Sequence, residues 1–248
     1  MRQIWRDIGI VLLILLVLAA AWVGIGYMRG TVHFGHGGSA SAKLVEGKYT
    51  PKDPASLVID ADVAEITVQP GDSWSVEYAL EKEPEITEEN GILTFRDQSK
   101  NHVNIGIHNT PEQHITLTVP AEIALELEVD VGDVRIGNLA FTDLSVETDV
   151  GDVKMENVIS SGSLDVECDV GNVTMSEVNG GSVTAASDVG DLNVNLTGPL
   201  TDYALMVDAD VGDIVVDGLK QGKYYNTEGG IPVFLKTDTG DINVSFGS

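Results

Sequence analysis

A short turn, Asp-Val-Gly-Asp followed by an aliphatic residue, recurs through the second half of this chain and constrains its fold more than any other feature. It reads "DVGDV" at 130–134 and 149–153, "DVGNV" at 169–173, "DVGDL" at 188–192, "DVGDI" at 210–214 and "DTGDI" at 238–242. Successive copies start 19, 20, 19, 22 and 28 residues apart. A degenerate copy, "DVAEI", stands at 62–66. The gap before residue 130 holds the alternating runs "WSVEYAL", "GILTFR", "HVNIGIH" and "HITLTV".

The register around each turn says more than the turn itself. Alternate positions before it are apolar or small: Leu125, Leu127, Val129 and Val131, then Leu144, Val146, Thr148 and Val150, then Leu164, Val166, Cys168 and Val170. The early copy obeys with Leu57, Ile59, Ala61 and Val63. A period of two marks strands with one buried face. At the Gly-Asp pair the phase slips: with Val131 inward, the next apolar positions are Val134 and Ile136. An extra residue signals a corner, with glycine supplying backbone angles that a β-carbon forbids. A unit of roughly 20 residues cannot enclose a core alone and must stack on its neighbours. The prediction is an all-β chain built as a β-solenoid, a parallel β-helix or β-roll, with like positions in columns. One inward column before the corner is uniformly small: Val129, Thr148, Cys168, Ser187, Ala209 and Thr237. The alternative with the same alternation is an antiparallel β-sandwich.

The N-terminus fixes the expected address. Residues 8–28, "IGIVLLILLVLAAAWVGIGYM", form an uncharged apolar stretch of transmembrane length. Arg2 and Arg6 flank its start, so the positive-inside rule puts residues 1–7 in the cytoplasm and the remainder outside. The segment reads as a retained signal-anchor, with a cleaved secretion signal as the competitor. Residues 29–52 read as a Gly- and Ser-rich tether, strand-like near Lys43–Tyr49, and 53–248 as an extracytoplasmic β-repeat domain. The lone cysteine, Cys168, excludes an intramolecular disulfide, so pairing and packing hold the body. Formal net charge is −25; beyond residue 29 there are 11 basic and 38 acidic residues. Such a body repels nucleic acid, and no basic patch offsets this.

One membrane helix, a Gly-containing tether and repeated Gly-Asp-aliphatic corners resemble a bacterial family of membrane-anchored Gly-Asp repeat proteins regarded as candidate adhesins. Some of its members look like accessory proteins encoded beside envelope-stress systems. The resemblance covers roughly residues 53–248. It implies a β-solenoid-like exported domain of unknown function, without established chemistry and with no catalytic residues to carry over.

Stacked units place two acidic columns at the corner. One holds Asp130, Asp149, Asp169, Asp188, Asp210 and Asp238; the other Asp133, Asp152, Asn172, Asp191, Asp213 and Asp241. Strand spacing sets neighbours about 4.8 Å apart, where like charges repel by roughly 3 kcal/mol at an effective dielectric of about 20. Calcium is the cation that would relieve this outside a cell. The structural alternative has each Asp accept N–H bonds within its own turn, with Arg135 and Lys154 neutralising part of the ladder. His33 and His36 lie in the tether; His102, His108 and His114 read as exposed strand residues. Cys168 reads as a buried space-filler, no catalytic set emerges, and no cofactor is implied. Tyr224 and Tyr225 sit in the longest inter-repeat insert, a candidate contact loop or a cap-like decoration, and the final strand "DINVSFG" reads as an edge, either covered by that insert or free to pair with another protein. The expectation is a non-enzymatic scaffold, anchored in the membrane through residues 8–28, for adhesion or contact with an envelope protein or polymer. The alternatives are an accessory regulator of an envelope-stress sensor and a calcium-dependent glycan-binding or lyase module.

Overall fold

A computed structural model describes residues 43–98, 112–120 and 122–247. The apolar segment 8–28, the tether up to residue 42 with His33 and His36, and His102 and His108 lie outside the described residues. Among the described residues no helix is long and apolar enough to cross a membrane.

The chain alternates between two faces of one continuous sheet. After β1 (Val45–Tyr49), β2 (Ser56–Val63) and β3 (Glu65–Pro70) meet at the degenerate corner, followed by β4 (Ser75–Leu80), β5 (Glu85–Glu89) and β6 (Ile92–Arg96). β7 (His114–Val119) and β8 (Ile123–Val131) lead into β9 (Val134–Val150), which runs through a return bend from one face to the other. Then come β10 (Val153–Ser160), β11 (Ser163–Val170), β12 (Val173–Val178), β13 (Ser182–Val189) and β14 (Leu192–Leu196). The last part holds β15 (Tyr203–Val211), β16 (Ile214–Val216), β17 (Leu219–Lys220), β18 (Tyr224–Asn226), β19 (Ile231–Thr239) and β20 (Ile242–Phe246). The body thus begins at β1, inside what the sequence assigns to the tether. The fold is all-β, and among the described residues the only helical turn is the 3-10 turn Leu200–Asp202.

Strands before the corners pair in parallel in the order β6, β2, β8, β9, β11, β13, β19, β15. Strands after the corners pair in parallel in the order β7, β3, β9, β10, β12, β14, β20, β16. These are the expected coils. The antiparallel pairing of the alternative fold is confined to the ends, where β5 covers β6, β4 and β1 cover β7, β18 covers β15, and β17 covers β16. Exposed parallel edges template aggregation, so short antiparallel strands at both ends blunt that hazard.

Two details depart from the sequence expectation. The final strand, β20, is no edge; it lies between β14 and β16. The last coil of the chain has slipped inside the preceding one, and the insert 217–230 folds as β17 and β18 over the coil left outermost. The valine of the turn is also not inward: Val150 is 41% and Val211 56% exposed. Its carbonyl accepts the N–H of the neighbouring corner glycine, as in Gly132 to Val150 at 2.9 Å and Gly151 to Val170 at 3.1 Å. The valine thus serves the corner through its main chain, and its side chain turns away from the core.

The remaining inward positions form one core. Leu164, Val166, Val173, Met175 and Val178 of a single coil are each at most 2% exposed, and each such aliphatic contributes about 1.5–3 kcal/mol on burial.

Candidate functional site

The corners explain the conserved spelling of the repeat within this chain. Gly132, Gly151, Gly171, Gly240 and Gly212 take φ between 155° and 157°. Each approaches the carbonyl of the coil beside it so closely that a β-carbon on Gly171 would sit 1.9 Å from the oxygen of Gly151. Glycine is required both by backbone angle and by contact. At the degenerate corner Ala64 stands in the glycine's place, buried in the core at 2% exposure, and its carbonyl is the one that a β-carbon on Gly132 would strike, at 1.9 Å.

The second acidic column is structural, although not in the way the sequence suggests. Each side chain except that of Asp213, on the outermost coil, accepts an N–H from the next coil rather than from its own turn. Asp133 Oδ1 accepts from Asp152 N at 3.0 Å, Asp152 from Asn172 at 2.8 Å and Asn172 from Asp191 at 3.0 Å. Asp191 accepts from Asp241 and Asp241 from Asp213, both at 2.8 Å. An asparagine serves equally well because the ladder needs only an acceptor oxygen. Cations close both ends: Arg135 reaches Asp133 at 2.9 Å and Glu65 at 3.3 Å, and Lys220 reaches Asp213 at 2.6 Å.

The first column, with Asp62 added at its start, carries the electrostatic load. Burial and then the carboxylates of Asp97, Asp130 and Asp60 push Asp62 up to about 6. Burial, then Asp130 and Asp169, raise Asp149; burial, then Asp188, raise Asp169. The adjoining outward Glu147 is raised by burial and by Glu167 and Glu128. At the other end Lys236 pairs with Asp238 at 2.7 Å, next to Asp210 on β15. Among the described residues no three or more of these side chains come together in a group able to hold a metal ion.

The other candidates resolve simply. Cys168 is buried, its thiol bonds the carbonyl of Gly151 at 3.3 Å, and burial pushes it up to about 12, so it is no nucleophile at neutral pH. His114 is exposed on β7 opposite Glu65. Trp74 is buried with its indole N–H 3.4 Å from Asp53, and offers no aromatic platform. Tyr225 packs against the core, while Tyr224 is exposed beside Asp208.

A surface that sequence reasoning missed lies on the opposite face, after the corners. On β12, β14 and β20 the outward side chains are Thr174 and Ser176, Asn193 and Asn195, Asn243 and Ser245. They line an open groove of about 350 Å³. The signal was the polar alternation in "VTMS", "LNVNL" and "INVSF".

A sequence profile of the family described as Toastrack DUF4097 matches residues 55–247. No curated protein matches the chain. Among solved structures, a candidate cell adhesion protein from Clostridium sporogenes superposes with a TM-score of 0.52 at 15% identity, covering 82% of this chain and all of that one. A candidate adhesin from Bacteroides fragilis gives a TM-score of 0.48 at 18% identity, covering 82% of this chain and 98% of its own. At such identities the first likeness speaks for the fold alone.

Proposed function

The chain belongs to the Toastrack DUF4097 family, and on that premise we propose that it is a membrane-anchored, non-enzymatic scaffold that displays its coil stack outside the cell for adhesion or contact with the cell envelope. The observation that carries this reading is how the polar groups are spent. The corner carboxylates hold neighbouring coils together, Cys168 is bonded and sealed in the core, and the outward faces present long regular rows of side chains. Such a stack is a stiff display surface, because each coil is fixed to the next by main-chain ladders and a shared core. The apolar segment 8–28 supplies the anchor and the tether the reach. The description of the Clostridium sporogenes protein as a candidate cell adhesion protein points the same way.

The test compares the full chain with one lacking residues 8–28. The scaffold reading expects the full chain in the membrane fraction, its body cleaved by protease added to intact cells, and the truncated chain still sedimenting with isolated envelope material. A body protected from external protease contradicts it. Loss of every partner on removal of the helix contradicts it in favour of a regulator acting through its membrane segment.

A further inference from the structure

The groove across β12, β14 and β20 is lined by uncharged amide and hydroxyl side chains. Register sets Thr174 beside Asn193 and Asn193 beside Asn243, and in the next row sets Asn195 beside Ser245. These positions and Ser176 carry no charge, on a chain with a net charge of −25. Their hydrogen bonds are only partly used. Asn243 Nδ2 donates to Asn193 Oδ1 at 3.0 Å, which leaves the Asn193 amide N–H groups and the Asn243 carbonyl oxygen without partners among the described residues. Asn195, by contrast, is committed: it donates to Ser245 Oγ at 2.9 Å and accepts from Glu177 N at 3.3 Å. It holds Ser245 in place at the rim.

We propose that this groove binds uncharged oligosaccharides. Adjacent amide donors and acceptors on a rigid sheet suit sugar hydroxyls, each of which donates and accepts. The half-buried Val215 beside Asn243 supplies an apolar contact for a pyranose C–H face. Competing ligand classes fit worse. An extended peptide needs a free strand edge, and these strands are paired on both sides. A polyanion meets the repulsion of the whole body, and a hard cation finds no carboxylate in the groove. Without an aromatic platform, single-site affinity is weak, and many copies displayed on one surface multiply it. The assignment rests on the envelope-scaffold reading for its access to polysaccharide.

Saturation-transfer NMR on the full chain tests it, with maltotetraose and tetra-N-acetylchitotetraose as uncharged probes and tetragalacturonate as the anionic control. Transfer to at least one uncharged probe is expected, weakened about fivefold or more by Asn243→Ala and abolished by Ser245→Tyr, which fills the groove while keeping Asn193 and Asn243. Glu147→Gln, on the opposite face, leaves the signal unchanged. No transfer to either uncharged probe, transfer indifferent to both groove variants, or transfer to tetragalacturonate alone overturns the proposal. If the sugars fail while the truncated chain still sediments with envelope material, the groove falls and the scaffold reading stands. If the sugars bind and envelope sedimentation is absent, the reverse holds.

Discussion

A single methyl group separates the two demands placed on glycine in this fold. At Gly218 φ is +74° and an added β-carbon meets nothing within 4 Å, so Gly218→Ala costs only the left-handed backbone, about 1 kcal/mol. At Gly171 the same change adds a collision with the Gly151 carbonyl, and the cost rises to about 3 kcal/mol or more. Chemical denaturation of the two variants reads the difference; equal losses would mean the corners are not in contact. A second residue-scale outcome concerns the small inward column. Cys168, Ser187 and Thr237 bond corner carbonyls at 3.0–3.3 Å, whereas Thr148 Oγ1 is buried with no hydrogen-bond partner among the described residues. Thr148→Val removes that orphan at constant shape, and Val129 already fills the equivalent place one coil away. A gain of about 1 kcal/mol is expected, and a loss would show that the hydroxyl is satisfied. This column was readable as small residues in the sequence, because inward alternation and corner crowding are local. The outward turn of Val150 and Val211 was not, because the main-chain bonds that cause it come from the neighbouring coil.

Between elements, the two acidic columns behave in opposite ways. Asp191 links three coils through one oxygen acceptor and one N–H. Asp191→Asn, which mimics Asn172, is expected to melt within about 0.5 kcal/mol of the parent, and Asp191→Ala to lose about 1–2 kcal/mol. Equal effects of the two would remove the ladder. The first column sets the pH response. Asp62 titrates near 6 when folded against 3.8 when free, so the folded state binds its proton more tightly. The stabilisation from protonation is full below about 3.8 and is lost as pH rises through about 6. Asp149, Asp169 and Glu147 shift in the same direction. Melting temperature should therefore rise as pH falls from 7 to 5, and Asp62→Asn should raise it at pH 7 while flattening that slope; a fall on acidification would contradict the column's repulsion. The antiparallel caps were legible but unread: Asn90-Gly91 and Asp217-Gly218, both with positive φ, mark the hairpins that blunt the two ends.

At the scale of the whole described body, the alternation and the corners predicted coils, but not their order in space. Every copy shares one register, so Val183 can face Leu205 or Val233 with the same packing, and no local pattern decides between them. The structure seats β19 between β13 and β15, sending the last coil inward and leaving the outer one to be capped by the insert. The groove depends on this arrangement, since Asn193 and Asn243 become neighbours only when β20 lies against β14. Disulfide trapping in a Cys168→Ser background reads the order directly. Ala186 and Lys236 are direct partners across β13 and β19, and Lys236 is in turn the partner of Asp208 on β15. Adjacent parallel strands bring Cα atoms within bridging distance, about 5 Å, whereas strands two apart do not. The cysteine pair at 186 and 236 is predicted to oxidise readily and the pair at 186 and 208 to stay reduced. The opposite outcome would stack the coils in chain order and dissolve the groove, and failure of both pairs would mean that the coils do not stack at all.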